Sequence, residues 1–132
     1  MVKQQHRKPT KAELEILMIL WKHSEAVTVR EVFEAVNEQK YASYTTVLKL
    51  LQIMHEKGLV ERDEQNRAHR YRAKIKQKET GKRMLDEVLQ KIFGGSASRL
   101  VQQVLEAETT SAEDMREIRK MIEKAEKGAK QK

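Results

Sequence analysis

The apolar residues in the middle of the chain recur at helical spacing. They stand at i, i+3, i+4 and i+7 of one stretch and form a single stripe, at Val47, Leu50, Leu51 and Met54. Ser43 occupies the N-cap position before this stretch, and Gly58 follows it as a residue able to adopt a positive φ. The pattern predicts a helix from about Tyr44 to Lys57 with one buried face.

Two earlier stretches begin with the same start signal. TKAE at 10–13 and TVRE at 28–31 are capping boxes, in which Thr caps the amide of Glu and Glu reaches back. The first predicts a helix to about Lys22, whose buried stripe is Leu14, Leu17, Met18 and Trp21. The second predicts a helix ending near Glu38, whose buried positions are Val32, Phe33 and Val36. Residues 26–28 favour a short strand only weakly.

After Gly58 the pattern changes from helical to nearly alternating, which predicts a β-hairpin with a polar turn at 63–66. We expect Tyr71 and Ala73 to point inward, and the cationic side chains to point outward or lie at the tip. Those cations are Arg67, Arg70 and Arg72. Three helices followed by a basic hairpin predict a winged helix-turn-helix domain, mainly α with a small β wing.

The C-terminal third predicts three more helices with apolar stripes. The first covers about 78–93 and ends at Gly94-Gly95, the second follows Ser96 or Ser98, and Ser111 caps the third. Their stripes include Leu85, Val88, Leu89, Ile92, Leu100, Val104, Ile118, Met121 and Ile122. We interpret residues 1–75 as a DNA-binding domain and 76–132 as a dimerisation domain, because little else in the chain is available to cover these stripes. The alternative is that the helices fold back on their own chain.

The net positive charge of the chain favours an anionic partner. The 132 residues carry 27 Lys and Arg against 20 Asp and Glu, a formal net charge of +7. With so many acids, binding depends on where the bases lie. Residues 66–74 contain four cations and no acid, and 1–9 form a second basic segment. That segment is either an arm that touches phosphates or a solvated terminus.

Several function classes are disfavoured by what the sequence lacks. Without cysteine there is no disulfide and no thiolate metal site. We see no glycine-rich phosphate loop, nucleophile elbow or paired metal-binding histidines, so we expect neither an enzyme nor a cofactor. No apolar run of about 18 residues and no signal peptide are visible, so we expect a cytoplasmic protein without membrane insertion.

The exposed face of the 44–57 helix is a candidate for DNA binding. Thr45, Lys49 and Gln52 lie opposite the apolar stripe, and Thr46 and Leu48 lie on its flanks. The first turns lack acids, and short hydroxyl side chains suit close approach to phosphates and base edges. An ordinary solvated helix face is an equally good interpretation of this stretch taken alone.

The chain resembles the penicillinase repressor family of bacterial winged-helix regulators, which includes the β-lactamase, methicillin-resistance and copper-operon repressors. The resemblance covers residues 10 to about 125. Its most specific parts are AELEILMILW at 12–21, YTTVLKLLQIMHEKGLVER at 44–62, HRYRA at 69–73 and GGSASRLVQQVLE at 94–106. Their order and spacing together are more specific than any one of them.

The resemblance implies a homodimeric transcriptional repressor on a palindromic operator of double-stranded DNA, with intertwined C-terminal helices. The 43–57 helix is expected to enter the major groove and the 62–74 wing to contact the DNA. The implied DNA contacts are Ser43, Thr45, Thr46, Lys49, Arg67 and Arg70, and we add Gln52 and Arg72 from the pattern. Leu48 and Ile53 depart from polar residues in some relatives, which favours apolar contact of Leu48 with thymine methyl groups.

The resemblance also bears on regulation. In relatives that control β-lactam resistance, a membrane-bound sensor protease triggers cleavage in the helix matching 98–106. The cleaved pair there is typically Asn-Phe, and this chain offers Gln103 and Val104. Copper-responsive relatives carry C-terminal cysteine pairs, which this chain lacks, so copper sensing by that route is excluded.

Two other functions fit the sequence. One is a winged-helix module that binds protein, and the other is a nucleoid DNA binder without operator preference. A repressor prefers one palindrome and loses affinity steeply with salt, a nucleoid protein shows only the salt dependence, and a protein-binding module shows neither.

Overall fold

The computed structural model describes residues 8–65 and 67–130 as six helices and three strands. In chain order these are α1 (Lys11–Trp21), β1 (Val27–Thr28), α2 (Val29–Asn37), α3 (Tyr44–Lys57), β2 (Val60–Asp63), β3 (Arg70–Ala73), α4 (Gln77–Lys91), α5 (Ala97–Glu106) and α6 (Ala112–Lys130). A mainly helical chain with a small antiparallel sheet confirms the predicted fold class. Residues 1–7 of the basic N-terminal segment, and Asn66 in the wing turn, lie outside the described residues.

The helix starts are set by local hydrogen bonds. Thr10 accepts from the Glu13 amide at 3.2 Å, and its own amide donates to the Glu13 carboxylate at 2.9 Å. Thr28 and Glu31 repeat this arrangement at the start of α2. Both predicted capping boxes are confirmed. The predicted range of α3 is also confirmed, from its Ser43 N-cap to Gly58, whose φ is +83°.

The three strands pair antiparallel in the order β1-β3-β2. Tyr71 is buried, whereas Arg70 and Arg72 on either side of it are exposed, which confirms the predicted alternation. The weakly predicted strand at 26–28 is present as β1, and its Val27 pairs with Tyr71. The hairpin of β2 and β3 is the wing.

The core lies between α1, α2, α3 and the sheet. Its buried hydrophobic residues are Ile16, Leu17, Leu20, Val27, Val29, Val32, Val47, Leu51, Met54, Leu59, Val60 and Tyr71. The stripe predicted for α1 was partly wrong, because Met18 is 44% exposed while Ile16 and Leu20 are buried. This helix is apolar on nearly every side, so periodicity alone does not define which side faces the core.

One buried ion pair links α1 to α3. Lys57 Nζ donates to Glu13 Oε2 at 2.6 Å, and the Glu13 residue is only 2% exposed. Burial raises the pKa of Glu13, but the hydrogen bonds from Lys57 and the Thr10 amide outweigh it and hold the pKa below its ordinary value. Glu13 is therefore a charged group inside the core, and Lys57 stabilises its charged form.

The chain forms two compact units that divide between Lys82 and Arg83, inside α4. The boundary at 75/76 between the predicted DNA-binding and dimerisation domains stays a prediction. In the second unit, Gly94 and Gly95 have φ of +57° and +83° and follow α4 as expected. Ser96 caps α5, and Ser111 exchanges hydrogen bonds with Asp114 at the start of α6.

Candidate nucleic-acid interface

Helix α3 has two faces of different character. Val47, Leu51 and Met54 are fully buried, whereas Thr45, Lys49 and Gln52 are exposed. The predicted orientation of this helix is therefore confirmed. A rigid core holds the buried face, so the exposed side chains are presented from a fixed scaffold.

Three hydroxyl groups cluster at the start of α3. The Ser43 hydroxyl lies 2.8 Å from that of Thr46 and 3.2 Å from that of Thr45. It also accepts from the Thr46 amide at 3.2 Å. The first turn contains no acid, and the helix N-terminus is the positive end of the dipole. This end of α3 consequently attracts anions and offers several short hydrogen-bonding groups.

Leu48 is less exposed than most of the other predicted DNA contacts. It is half-buried and packs against the core, and it also lines a cleft between α3 and the wing. Gln52, Arg67 and His69 line the same cleft. Contact of Leu48 with a thymine methyl group of the DNA stays a prediction.

Arg30 and Tyr44 also line this cleft, and sequence reasoning did not assign either of them to the site. The Phe33 ring packs edge-on against Tyr44 at 5.6 Å, and the Arg30 guanidinium lies 5.8 Å from the Phe33 ring centre. Arg30 Nε also donates to Glu34 at 3.3 Å. The only sequence signal for a role of Arg30 was its position at the start of α2, next to the capping box. The start of α2 comes to face the wing only when the chain folds.

The wing is less basic in space than it is along the chain. Strand pairing places Glu61 opposite Arg72 and Asp63 opposite Arg70. Arg72 Nε donates to Glu61 at 2.9 Å, and Arg62 Nε donates to Glu64 at 2.6 Å. The segment 66–74 is free of acids along the chain, but β2 places acids beside its cations, which sequence spacing does not reveal.

The ion pair between Arg62 and Glu64 favours the charged form of both partners. A hydrogen bond from Arg62 holds the pKa of Glu64 below its ordinary value. Hydrogen bonds to Tyr71 and to Glu64 raise the pKa of Arg62. Within residues 8–65 and 67–130, Arg67 at the wing tip is exposed and makes no ion pair. Arg70 in β3 is also exposed and makes no ion pair among those residues, so Arg67 and Arg70 carry the more available positive charge of the wing.

The predicted interface positions of the second unit are not buried within the chain. Six are exposed, namely Leu85, Val88, Ile92, Val104, Met121 and Ile122. Leu89, Leu100 and Ile118 are half-buried. Gln103 and Val104, the candidate cleavage pair, are both exposed and lie inside α5.

The described part of the chain lacks two further features. No group of His, Asp and Glu residues there has the geometry to hold a metal ion. No helix in that part is long and apolar enough to cross a membrane.

Comparison with known proteins gives consistent similarities. The family model described as "Penicillinase repressor" matches residues 9–124. The methicillin resistance regulatory protein MecI of Staphylococcus aureus is 24% identical over 113 residues, which cover 86% of this chain and 91% of MecI. The transcriptional regulator BlaI of Mycobacterium tuberculosis is 44% identical over 52 residues, 39% of this chain and 38% of BlaI.

Among solved structures, a MarR family protein from Bacillus stearothermophilus aligns with 96% of this chain and 79% of its own, at 23% identity and a TM-score of 0.47. The family match runs through the winged-helix unit and most of the C-terminal helices. The chain therefore belongs to the penicillinase repressor family, whose members are transcriptional repressors and not enzymes.

Proposed function

We propose that this protein is a homodimeric repressor that binds a palindromic operator through α3 and the wing. The observation that carries the proposal is the division of α3 into a buried apolar face and an exposed face without acids in its first turn. A helix of this kind fits the major groove, where its N-terminal residues meet base edges.

We assign the DNA contacts by chemistry. Lys49 neutralises a phosphate, and Thr45 and Gln52 lie on the exposed face where base edges approach. Ser43 and Thr46 donate hydrogen bonds to phosphates near the start of α3. Arg67 and Arg70 contact the backbone from the wing. Arg30, which lines the same cleft as Arg67, joins them as a further backbone contact.

Dimerisation is proposed from the uncovered apolar faces of α4, α5 and α6. Side chains such as Ile92, which is 72% exposed, leave much apolar surface in contact with water in an isolated chain. Burial recovers roughly 25 cal/mol per Å² of such surface, so a second copy is the economical cover. A two-fold dimer also matches a palindromic site, with half-sites about 34 to 36 Å apart.

The test is selection of bound fragments from genomic DNA by the full-length protein. We expect enriched fragments to share one palindrome. Thr45→Ala and Lys49→Ala should each weaken binding to it, with the fold intact by circular dichroism. Glu56→Gln is the matched control, because Glu56 is an exposed α3 residue in the last turn, away from the hydroxyl cluster.

The outcome also separates the rival functions. Binding that falls with salt at a log–log slope of about 0.9 per phosphate, but without a preferred sequence, indicates a nucleoid protein. An absence of DNA binding at low salt indicates a protein-binding module. If Thr45→Ala and Lys49→Ala both bind the selected palindrome like wild type, α3 does not read it.

Regulated cleavage between Gln103 and Val104 by a membrane sensor system is kept as a proposal. Cleavage there separates α6 and the end of α5 from the rest of the chain, and thereby removes four of the nine predicted interface residues. Mass spectrometry of the protein from cells exposed to a β-lactam tests it, and fragments ending elsewhere exclude this bond.

A further inference from the structure

The ion pair between Glu61 and Arg72 differs from its neighbours in the wing. It joins two adjacent strands at 2.9 Å, and both side chains remain exposed, Arg72 by 61% and Glu61 by 50%. Arg62 is only 23% exposed and is also hydrogen-bonded to Tyr71, so it stays within the sheet. Asp63 already accepts from the Gln65 amide in the turn. The Arg72 guanidinium is thus the paired wing cation that solvent, or a phosphate, can reach.

We propose that Glu61 restrains the wing by occupying Arg72, and so suppresses sequence-independent binding to DNA. This rests on the proposed function, because it concerns the strength of DNA binding by the wing. Glu61 is a positioning residue that acts through Arg72, and Arg72 contacts a phosphate only after the pair opens. Arg67, which lies at the wing tip without an ion pair among the described residues, does not face this competition.

The physical reason is competition between two anions for one cation. Binding to random DNA depends on how many phosphates the protein neutralises, since each one releases condensed counterions. A guanidinium that already has a carboxylate partner must exchange it for the phosphate. Exposed pairs of this kind are weak, so the exchange lowers affinity by only about two- to fivefold. That is enough to reduce occupancy at the many non-operator sites of a genome.

The experiment measures full-length protein on a random-sequence duplex over a series of salt concentrations, by fluorescence anisotropy. We expect Glu61→Gln to bind about two- to fivefold more tightly than wild type. The log–log slope should steepen by about 0.9, the value for one additional phosphate. Arg72→Gln should lose less affinity than Arg67→Gln. Adding Glu61→Gln to Arg72→Gln should give no further gain.

Two controls separate this effect from simple removal of a negative charge. Glu25→Gln removes the same charge beside Ala26, which lines the same small pocket as Glu61 and Arg72, and Glu25 has no ion pair in the described residues. It should leave the salt slope unchanged. Glu61→Asp keeps the carboxylate and should remain close to wild type. Thermal melting of each variant checks that the wing is folded.

Three results overturn the inference. One is wild-type affinity and slope for Glu61→Gln, and another is an equal gain in the Arg72→Gln background, which would indicate only long-range repulsion. The third is a loss for Arg72→Gln as large as for Arg67→Gln. The proposed function is judged separately: wild type that binds random DNA but prefers no palindrome contradicts that function alone, whereas wild type that binds no duplex contradicts both.

Discussion

The two compact units of this chain treat their apolar side chains in different ways. Before Lys82, twelve described hydrophobic residues are buried between three helices and a sheet. After Arg83, none of the described hydrophobic residues is buried, although three helices there carry apolar faces. The first unit thus encloses its own core. The second unit carries apolar faces that the described chain does not bury.

This difference teaches where stability comes from in each unit. The first unit owes its stability to contacts within one chain, so it is independent of protein concentration. The second owes it, in our proposal, to a second copy, so its stability depends on concentration.

The largest effect is expected from a charge placed on the open apolar face. Ile122→Glu should weaken dimerisation by at least about 100-fold, because two carboxylates lose water in the interface without partners. Sedimentation at a series of protein concentrations measures the shift. Lys124→Glu is the control, since helical spacing places residue 124 away from that face. A dimer that survives Ile122→Glu moves the interface elsewhere.

Cavities should destabilise the two units differently. Leu51→Ala removes a fully buried side chain from α3 and should lower the free energy of unfolding by about 2 to 5 kcal/mol at any protein concentration. Leu85→Ala removes a side chain that is 52% exposed within the chain. Its cost should appear only as weaker association, and urea unfolding at two protein concentrations distinguishes the cases. A concentration-independent cost for Leu85→Ala would mean that the second unit is stable alone.

Loss of the buried ion pair should have an effect in the lower half of the range expected for Leu51→Ala, and this effect should depend on pH. Lys57→Met leaves the Glu13 carboxylate buried without its cation, which should cost about 3 kcal/mol at neutral pH. The folded-state pKa of Glu13 is lowered, so the stability it contributes is present above its ordinary value of 4.5 and is lost as the pH falls through the folded value. The wild type and the variant should therefore converge in acid.

Lys40→Met is the matched control for this prediction. Lys40 pairs with Glu15 at the same 2.6 Å, but the two side chains are 53% and 39% exposed. Loss of that pair should cost less than about 1 kcal/mol. Urea unfolding near pH 7 and at a series of pH values below 4.5 measures both variants, and an equal cost at the two sites would show that burial of Glu13 is not what matters.

The helices of the candidate site were predictable because their signals are local. Ser43, Gly58 and the apolar period between them set the limits and the buried face of α3, and the structure agrees. The buried face of α1 was not predictable to the same degree. Its apolar residues surround the helix, and only packing against α2, α3 and the sheet selects Ile16 over Met18.

The wing shows what local signals miss. Its alternation predicted that Arg70 and Arg72 are exposed, which is correct. Their acidic neighbours depend on the register of the hairpin, and no residue spacing in the chain specifies that register uniquely. The contribution of Arg30 was missed for a similar reason, since the start of α2 meets the wing only after folding.

The sequence by itself determined where helices begin and end and which face of α3 is exposed. These features depend on hydrogen bonds and side-chain periods that span only a few residues. The tertiary structure decided which charges are available. It joins Glu61 to Arg72 across 11 positions and Glu13 to Lys57 across 44, because ion pairs form between groups that folding brings together, whatever their separation along the chain.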